Sequence, residues 1–265
     1  MKHAMMMELT DGKLFYAPVG ENPQKIIDLG TGTGIWAVDV ADKYPSAQVL
    51  GVDLSPIQPL WVPPNLKFIV DDIEDEWMHG DDWDLVHLRC ISPWLKDQPK
   101  VLRMAYEHMK PGAWVEIQEF DSRANCDDGS LPEDAPLKRF FDTASEAVKS
   151  FNMNFRAGEN LGDMIKEAGF VNVGCVKLKV PIGTWAKDPK LRLIGMYLRT
   201  AVNDMFGAMA AKPLRKVMDP VEIELFLKKA REDLSNPNIH AYENYFFWTG
   251  QKPKNVGKGK GTDPE

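Results

Sequence analysis

Lys25-Ile26-Ile27-Asp28-Leu29-Gly30-Thr31-Gly32-Thr33-Gly34-Ile35-Trp36 lies near the start of the chain and decides its fold. Lys25–Leu29 is a short apolar run of strand length, and Gly30–Gly34 is a loop with glycine at every second position. Ile35–Lys43 carries Ile35, Val38 and Ala41 at helical spacing, with Pro45 beyond its end. A strand, a glycine loop and a helix in that order direct backbone N–H groups and a helix N-terminus at an approaching ligand. Dinucleotides and S-adenosyl-L-methionine (SAM) both use such a unit. A dinucleotide site wants G-x-G-x-x-G, where the third glycine lets helix and strand pack beside the pyrophosphate. Here that glycine comes one residue early, at Gly34, and Ile35 takes the expected small position. Asp28, two residues before Gly30, offers an anionic partner to the methionine ammonium of SAM; a pyrophosphate would gain nothing from it. The spacing selects SAM.

Working outward, Gln48–Val52 reads as a second strand closed by Asp53, about 20 residues beyond the loop, where an acid accepts the ribose hydroxyls of a nucleoside. Leu54 stands beside it. Leu66–Val70 is a third strand, followed by Asp71, Asp72 and Ile73. A carboxylate there can accept from the adenine amino group, and Ile73 can cover the ring; a solvated acidic turn is the competing reading. The expected cofactor set is Asp28, Gly30, Thr31, Gly32, Gly34, Asp53, Leu54, Asp71, Asp72 and Ile73.

The rest of the chain continues the alternation of a parallel α/β sheet. Asp84–Arg89 and Trp114–Glu119 read as the fourth and fifth strands, with a helix over Pro99–His108 and a Pro111-Gly112 turn between them. A helix is expected over Leu137–Phe151, and another with Asn160 as N-cap and Gly169 as its stop. Val171–Val180 is a sixth strand and Tyr242–Thr249 a last, aromatic one. Two helices between them open with Asp188-Pro189 and Asp219-Pro220, the second with Glu222 placed for a capping box. One domain over 1–253 is expected, with insertions at about 122–157 and 185–213 and a Gly- and Lys-rich disordered tail over 254–265.

Composition sets limits on function. The chain has 265 residues and a net charge of −7, which argues against nucleic-acid binding, because phosphate contacts need a cationic surplus. Its three cysteines, Cys90, Cys126 and Cys175, have no metal-ligand spacing and suit a reducing compartment. No run approaches a membrane span. Glu8 and Asp11 break the N-terminal Met cluster, so no signal peptide is read there. A cytoplasmic or nuclear enzyme with no metal is the expectation.

The stretch Ile26–Trp36 resembles the fungal LaeA-like methyltransferases, a family associated with secondary metabolism. The runs Gly51–Pro59 and Trp61–Asn65 are similar to that family, as are Glu107–Gly112, Val115–Asp121 and Ile239–Tyr242. The resemblance extends to Pro253. It implies a Rossmann-like class I methyltransferase fold: a seven-stranded, mostly parallel sheet with the last strand antiparallel, and inserted helices as a substrate lid. It also implies SAM contacts at Asp28, Gly30, Gly32, Asp53, Asp72 and around His87. Family members carry an additional N-terminal segment over the cofactor, for which Met1–Pro18 is what this sequence offers.

The methyl of SAM is electrophilic because its sulfur is cationic, so the protein mainly has to align acceptor, methyl and sulfur. An oxygen acceptor also wants a general base. His87, Glu119 and His240 are the candidates, against the competing readings of a core histidine, a solvated strand end and a turn residue. Met196, Met205, Met209 and Met218 are either an adaptable acceptor wall or ordinary core. Methyl transfer to an O, N or S atom of a small secondary metabolite is the first functional reading. A methyltransferase-fold regulatory protein working through protein partners, and a SAM-binding cyclase, are the alternatives.

Overall fold

The computed structural model describes residues 1–254. The tail expected over 254–265 lies, apart from Lys254, outside the described residues. Seven strands form one sheet in the order β3-β2-β1-β4-β5-β7-β6. They are β1 (Lys25–Leu29), β2 (Gln48–Asp53), β3 (Leu66–Val70), β4 (Trp83–Arg89), β5 (Met109–Asn125), β6 (Val171–Pro181) and β7 (Tyr242–Gln251). The first five pair in parallel, and β7 runs antiparallel to both β5 and β6. Strand order reverses at β1, which has β2 on one side and β4 on the other. In open α/β sheets that reversal leaves a crevice outside the carboxyl ends of the strands. The glycine loop sits in it.

The helices are α1 (Lys2–Leu9), α2 (Ile35–Lys43), α3 (Gln98–His108), α4 (Pro136–Lys149), α5 (Leu161–Glu167), α6 (Pro189–Ala211) and α7 (Pro220–Ser235). Strand side chains alternate between faces. Ile26, Val49 and Leu85 pack with Trp36, Ala37 and Val40 of α2 on one face. Ile27, Leu29, Val86, Leu88 and Ile117 pack with α3 and α5 on the other. A third core joins α1, α4, α6 and α7 over β6 and β7, centred on Phe140, Phe141, Phe206 and Phe247. Among the described residues no helix is long and apolar enough to cross a membrane.

Several elements differ from expectation. β5 extends well beyond Trp114–Glu119 at both ends, because Met109 pairs with Trp83 of β4 at its start and β7 pairs with it as far as Asn125. The expected Pro111-Gly112 turn is a kink within that strand, with Gly112 at φ +86° and its N–H donating to Lys252 O. The Met cluster forms α1, whose Met5, Met6 and Leu9 are buried in the third core. Asn160 does not cap α5 with its side chain, because a single 3₁₀ turn over Ala157–Asn160 leads into that helix. Asp188 accepts from Leu191 N at the start of α6, and Asp219 and Glu222 complete the capping box of α7.

Candidate cofactor and acceptor site

The loop Gly30–Gly34 is held open by its own backbone. Gly30, Gly32 and Gly34 have φ of +74°, +59° and +79°, a region that costs other residues roughly 1–2 kcal/mol. The loop is pinned from below, where Gly30 N and Thr31 N donate to Val52 O at 2.8 and 2.9 Å. A Cβ on Gly34 would lie 2.2 Å from the Phe68 ring, and one on Gly30 would lie 2.9 Å from Ile91. A Cβ on Gly32 would meet nothing within 4 Å, so that glycine alone borders open space.

Asp53 closes the loop from the β2 side. Its Oδ2 accepts from Gly32 N at 2.7 Å and its Oδ1 from Ser55 N at 2.9 Å, and the Gln58 amide donates to Gly32 O at 2.7 Å. Ser55 and Gln58 thus help clamp the loop. A carboxylate has about four lone-pair directions, so Asp53 keeps capacity for hydroxyl donors.

A cleft opens beside it, lined by Gly30, Asp53, Leu54, Asp71, Asp72 and Ile73, and opposite them by Ile91, Trp94, Leu95 and Lys96. Asp71 and Asp72 form local turns, accepting from Asp72 N and Glu74 N respectively. Ile73 is largely buried, whereas Leu54 and Trp94 are well exposed. Sequence reasoning missed the wall after β4; the available signal was Ser92-Pro93-Trp94, an exposed aromatic directly beyond a strand's carboxyl end. The cleft offers hydroxyl acceptors, an acidic turn, apolar cover and a glycine with room for a ligand. That donor set fits SAM.

Beneath the loop lies a buried polar row. Asp28, His87 and Glu116 are register neighbours across β1, β4 and β5. Asp28 Oδ2 accepts from Thr31 Oγ1 at 2.6 Å, and its Oδ1 is 2.7 Å from His87 Nδ1. The His87 ring stacks on Trp36 at 3.5 Å and 4°. Burial lowers the pKa of His87 against the opposing pull of Asp28, so a neutral ring donating from Nδ1 fits the site. Trp36 Nε1 and the Gln118 amide both donate to Leu14 O, and Glu116 accepts from Tyr16 N and Ala17 N at 2.7 and 2.6 Å. The segment around Leu14–Ala17 is thereby fastened to β5.

The three expected bases are not brought together. His87 is 0% exposed and enclosed under Trp36, with no opening to an acceptor. Glu119 is also 0% exposed; its oxygens accept from Ser92 N and Phe120 N, so it secures the start of the β4–α3 loop. Burial still pushes its pKa up to about 7. His240 is part-exposed, bound to Asp128 at 2.5 Å and beside Trp185, and lines neither the cleft nor the cavity described next. None of the three lines the cleft, and each is held by partners within the protein, since long-range packing decides what a strand-end side chain meets.

Where the carboxyl half of β5 meets the amino end of β7, under α6, is a cavity of about 190 Å³. Its wall includes Met5, Phe120, Leu198, Val202 and Met205, with Lys2, Glu243 and Tyr245 as polar members. Of the four methionines singled out, Met205 lines this cavity, Met209 is core, Met218 packs at the edge of that core and Met196 is exposed. Among the described residues no cluster of His, Cys, Asp and Glu could hold a metal ion.

A methyltransferase-domain family model matches residues 1–174. The methyltransferase pytC of Aspergillus terreus is 33% identical over 96% of this chain and 79% of its own length. The secondary metabolism regulator LAE1 of Cochliobolus heterostrophus is 36% identical over 92% of this chain and 82% of its own. In solved structures, Haemonchus contortus phosphoethanolamine N-methyltransferase 2 in complex with SAM has a TM-score of 0.53 at 18% identity, over 95% of this chain and 52% of that one. That likeness is one of fold.

Proposed function

The chain belongs to the SAM-dependent methyltransferases, in the family of LaeA-like proteins, and from that premise we propose that it methylates an O, N or S atom of a small secondary metabolite. One observation carries the reading. Gly32, the loop glycine that borders open space, is hydrogen-bonded through its N–H to Asp53 at the reversal of strand order. Asp53 accepts from ribose hydroxyls, Asp71 or Asp72 from the adenine amino group, and Ile73 and Leu54 cover the ring. The amides of Gly30–Gly34 and Thr31 meet the methionine portion, while Asp28 and His87 act from beneath by holding Thr31 and Trp36. When bound, SAM supplies an electrophilic methyl on a cationic sulfur. The protein's part is to orient the acceptor and exclude water, work that falls to the inserted helices.

The test is calorimetric titration with SAM and with S-adenosylhomocysteine, on the wild type and on Asp53→Ala. Both ligands bind the wild type. The substitution weakens them roughly 30-fold, about 2 kcal/mol, through lost hydroxyl acceptors. Equal affinities in the two proteins would refute the ribose assignment.

A second reading, a regulatory protein acting through a partner, draws on the loop after Leu54, where Leu60 and Trp61 are 95% and 94% exposed. Apolar groups so displayed mark contact surfaces. S-adenosylhomocysteine binding without methyl transfer to any small acceptor would favour it.

A further inference from the structure

The cavity beneath α6 holds two polar side chains, those of Glu243 and Tyr245, that make no hydrogen bond within the protein. Glu243 and Tyr245 are two apart on β7, so they share a face, and they are only 3% and 1% exposed. Desolvation is the leading influence on each; the others are charges nearby, and no hydrogen bond within the protein contributes. Buried polar groups without hydrogen bonds are costly, and these two, with Lys2 and Tyr197, are the polar members of a wall that is otherwise apolar.

The surroundings narrow the occupant. Lys2 of α1 faces Glu243 and also Glu119 and Cys90. Asp121 of β5 bears on Glu243, Tyr197 of α6 lines the same cavity, and Arg89 lies near Tyr245. A cationic acceptor would set a second positive charge beside Lys2, whereas a neutral hydroxyl adds none. The volume, about 190 Å³, exceeds the roughly 150 Å³ of a cavity that admits benzene. Burial pushes the Glu243 pKa up to about 8, in the range useful to a base near neutrality. The cofactor cleft is close by, because Cys90 faces Lys2 and its chain neighbour Ile91 lines that cleft.

We propose that this cavity is the acceptor subsite, that its occupant is an apolar, ring-sized compound bearing a phenolic or enolic hydroxyl, and that Glu243 is the base that takes the hydroxyl proton. The acceptor's O–H bond breaks, its proton going to a Glu243 oxygen and its electron pair staying on the acceptor oxygen. That oxygen forms the new O–CH₃ bond as the S–CH₃ bond breaks and leaves its pair on sulfur. The products are a methyl ether, S-adenosylhomocysteine and a protonated Glu243, which returns the proton to water when the cavity opens. Tyr245 and Lys2 orient the hydroxyl and moderate the charge. The inference rests on SAM as the methyl donor.

The test uses 1-naphthol as probe, titrated into the full chain saturated with S-adenosylhomocysteine. Four proteins are compared: wild type, Glu243→Ala, Glu243→Gln and Ala201→Phe, the last filling the cavity without touching its charges. Wild type binds naphthol saturably, and affinity rises from about pH 6.5 to about 8.5 as Glu243 ionises. Glu243→Ala weakens naphthol at least about tenfold, Glu243→Gln loses the pH dependence, and Ala201→Phe abolishes naphthol binding. S-adenosylhomocysteine affinity stays unchanged in all of them. Naphthol binding that survives in Ala201→Phe, or is indifferent to both Glu243 variants, overturns the proposal, as does its absence in a wild type that binds S-adenosylhomocysteine. Failure of the wild type to bind S-adenosylhomocysteine is a separate result, and it brings down the functional reading together with this one.

Discussion

Phe68 constrains two glycines at once. Its ring would lie 2.2 Å from a Cβ on Gly34 and 2.6 Å from one on Gly51. Gly34→Ala therefore meets both a clash and a left-handed backbone, and should cost at least about 2 kcal/mol in urea unfolding. Gly32→Ala meets only the backbone term, about 1 kcal/mol, but places a methyl on the side left free for the cofactor. It should leave the fold nearly intact while weakening S-adenosylhomocysteine severalfold. Wild-type affinity in Gly32→Ala would show that the cofactor does not approach there. The spacing of the three glycines was legible in the sequence because it is local. That Trp36 lies flat on His87 was not, because the two are brought together only by the packing of α2 on β4.

Helix starts separate the same way. The α7 cap is written in consecutive residues, Asp219 to Glu222, and both of its hydrogen bonds form. Asn160 has the right residue type but makes no side-chain cap, since the turn before α5 already sets the chain's direction. Asp219→Ala should accordingly cost about 1 kcal/mol, and Asn160→Ala less than about 0.5 kcal/mol. Denaturant titration of the two variants distinguishes them; equal losses would contradict the assignment. β5 shows the limit of local patterning from the other direction. Its ends pass through Pro111-Gly112 and the polar run Asp121–Asn125, yet they remain strand because β4 and β7 supply hydrogen-bond partners alongside.

Across the whole molecule, buried carboxylates set the response to pH. Burial raises Glu116 and Glu119 to about 7 and Glu243 to about 8, from 4.5. In the folded state these groups hold protons that the unfolded chain has released. Their stabilising contribution is full below pH 4.5 and is lost as pH rises through 7 to 8. His87 acts in the opposite sense: its lowered pKa contributes above 6.5 and is lost in acid. Between pH 6.5 and 8 the carboxylate loss continues, amounting over each whole range to about 3 kcal/mol for Glu116 and Glu119 and about 5 kcal/mol for Glu243. The thermal midpoint should therefore fall across that interval. A midpoint that stayed level or rose there would mean these carboxylates are ionised in the folded protein.

The sequence by itself determined the strand–loop–helix unit, the acid at the end of β2, the alternation that builds the sheet and the capped starts of α6 and α7. Each of these depends on residues a few positions apart, within reach of backbone geometry and side-chain period. The tertiary structure alone decided which side chains are enclosed and which face a ligand. It buried His87 and Glu119, turned His240 toward Asp128, laid α1 across the carboxyl ends of the strands and set Glu243 and Tyr245 against an apolar cavity. Those outcomes come from burial and from contacts between distant segments, which no local pattern records.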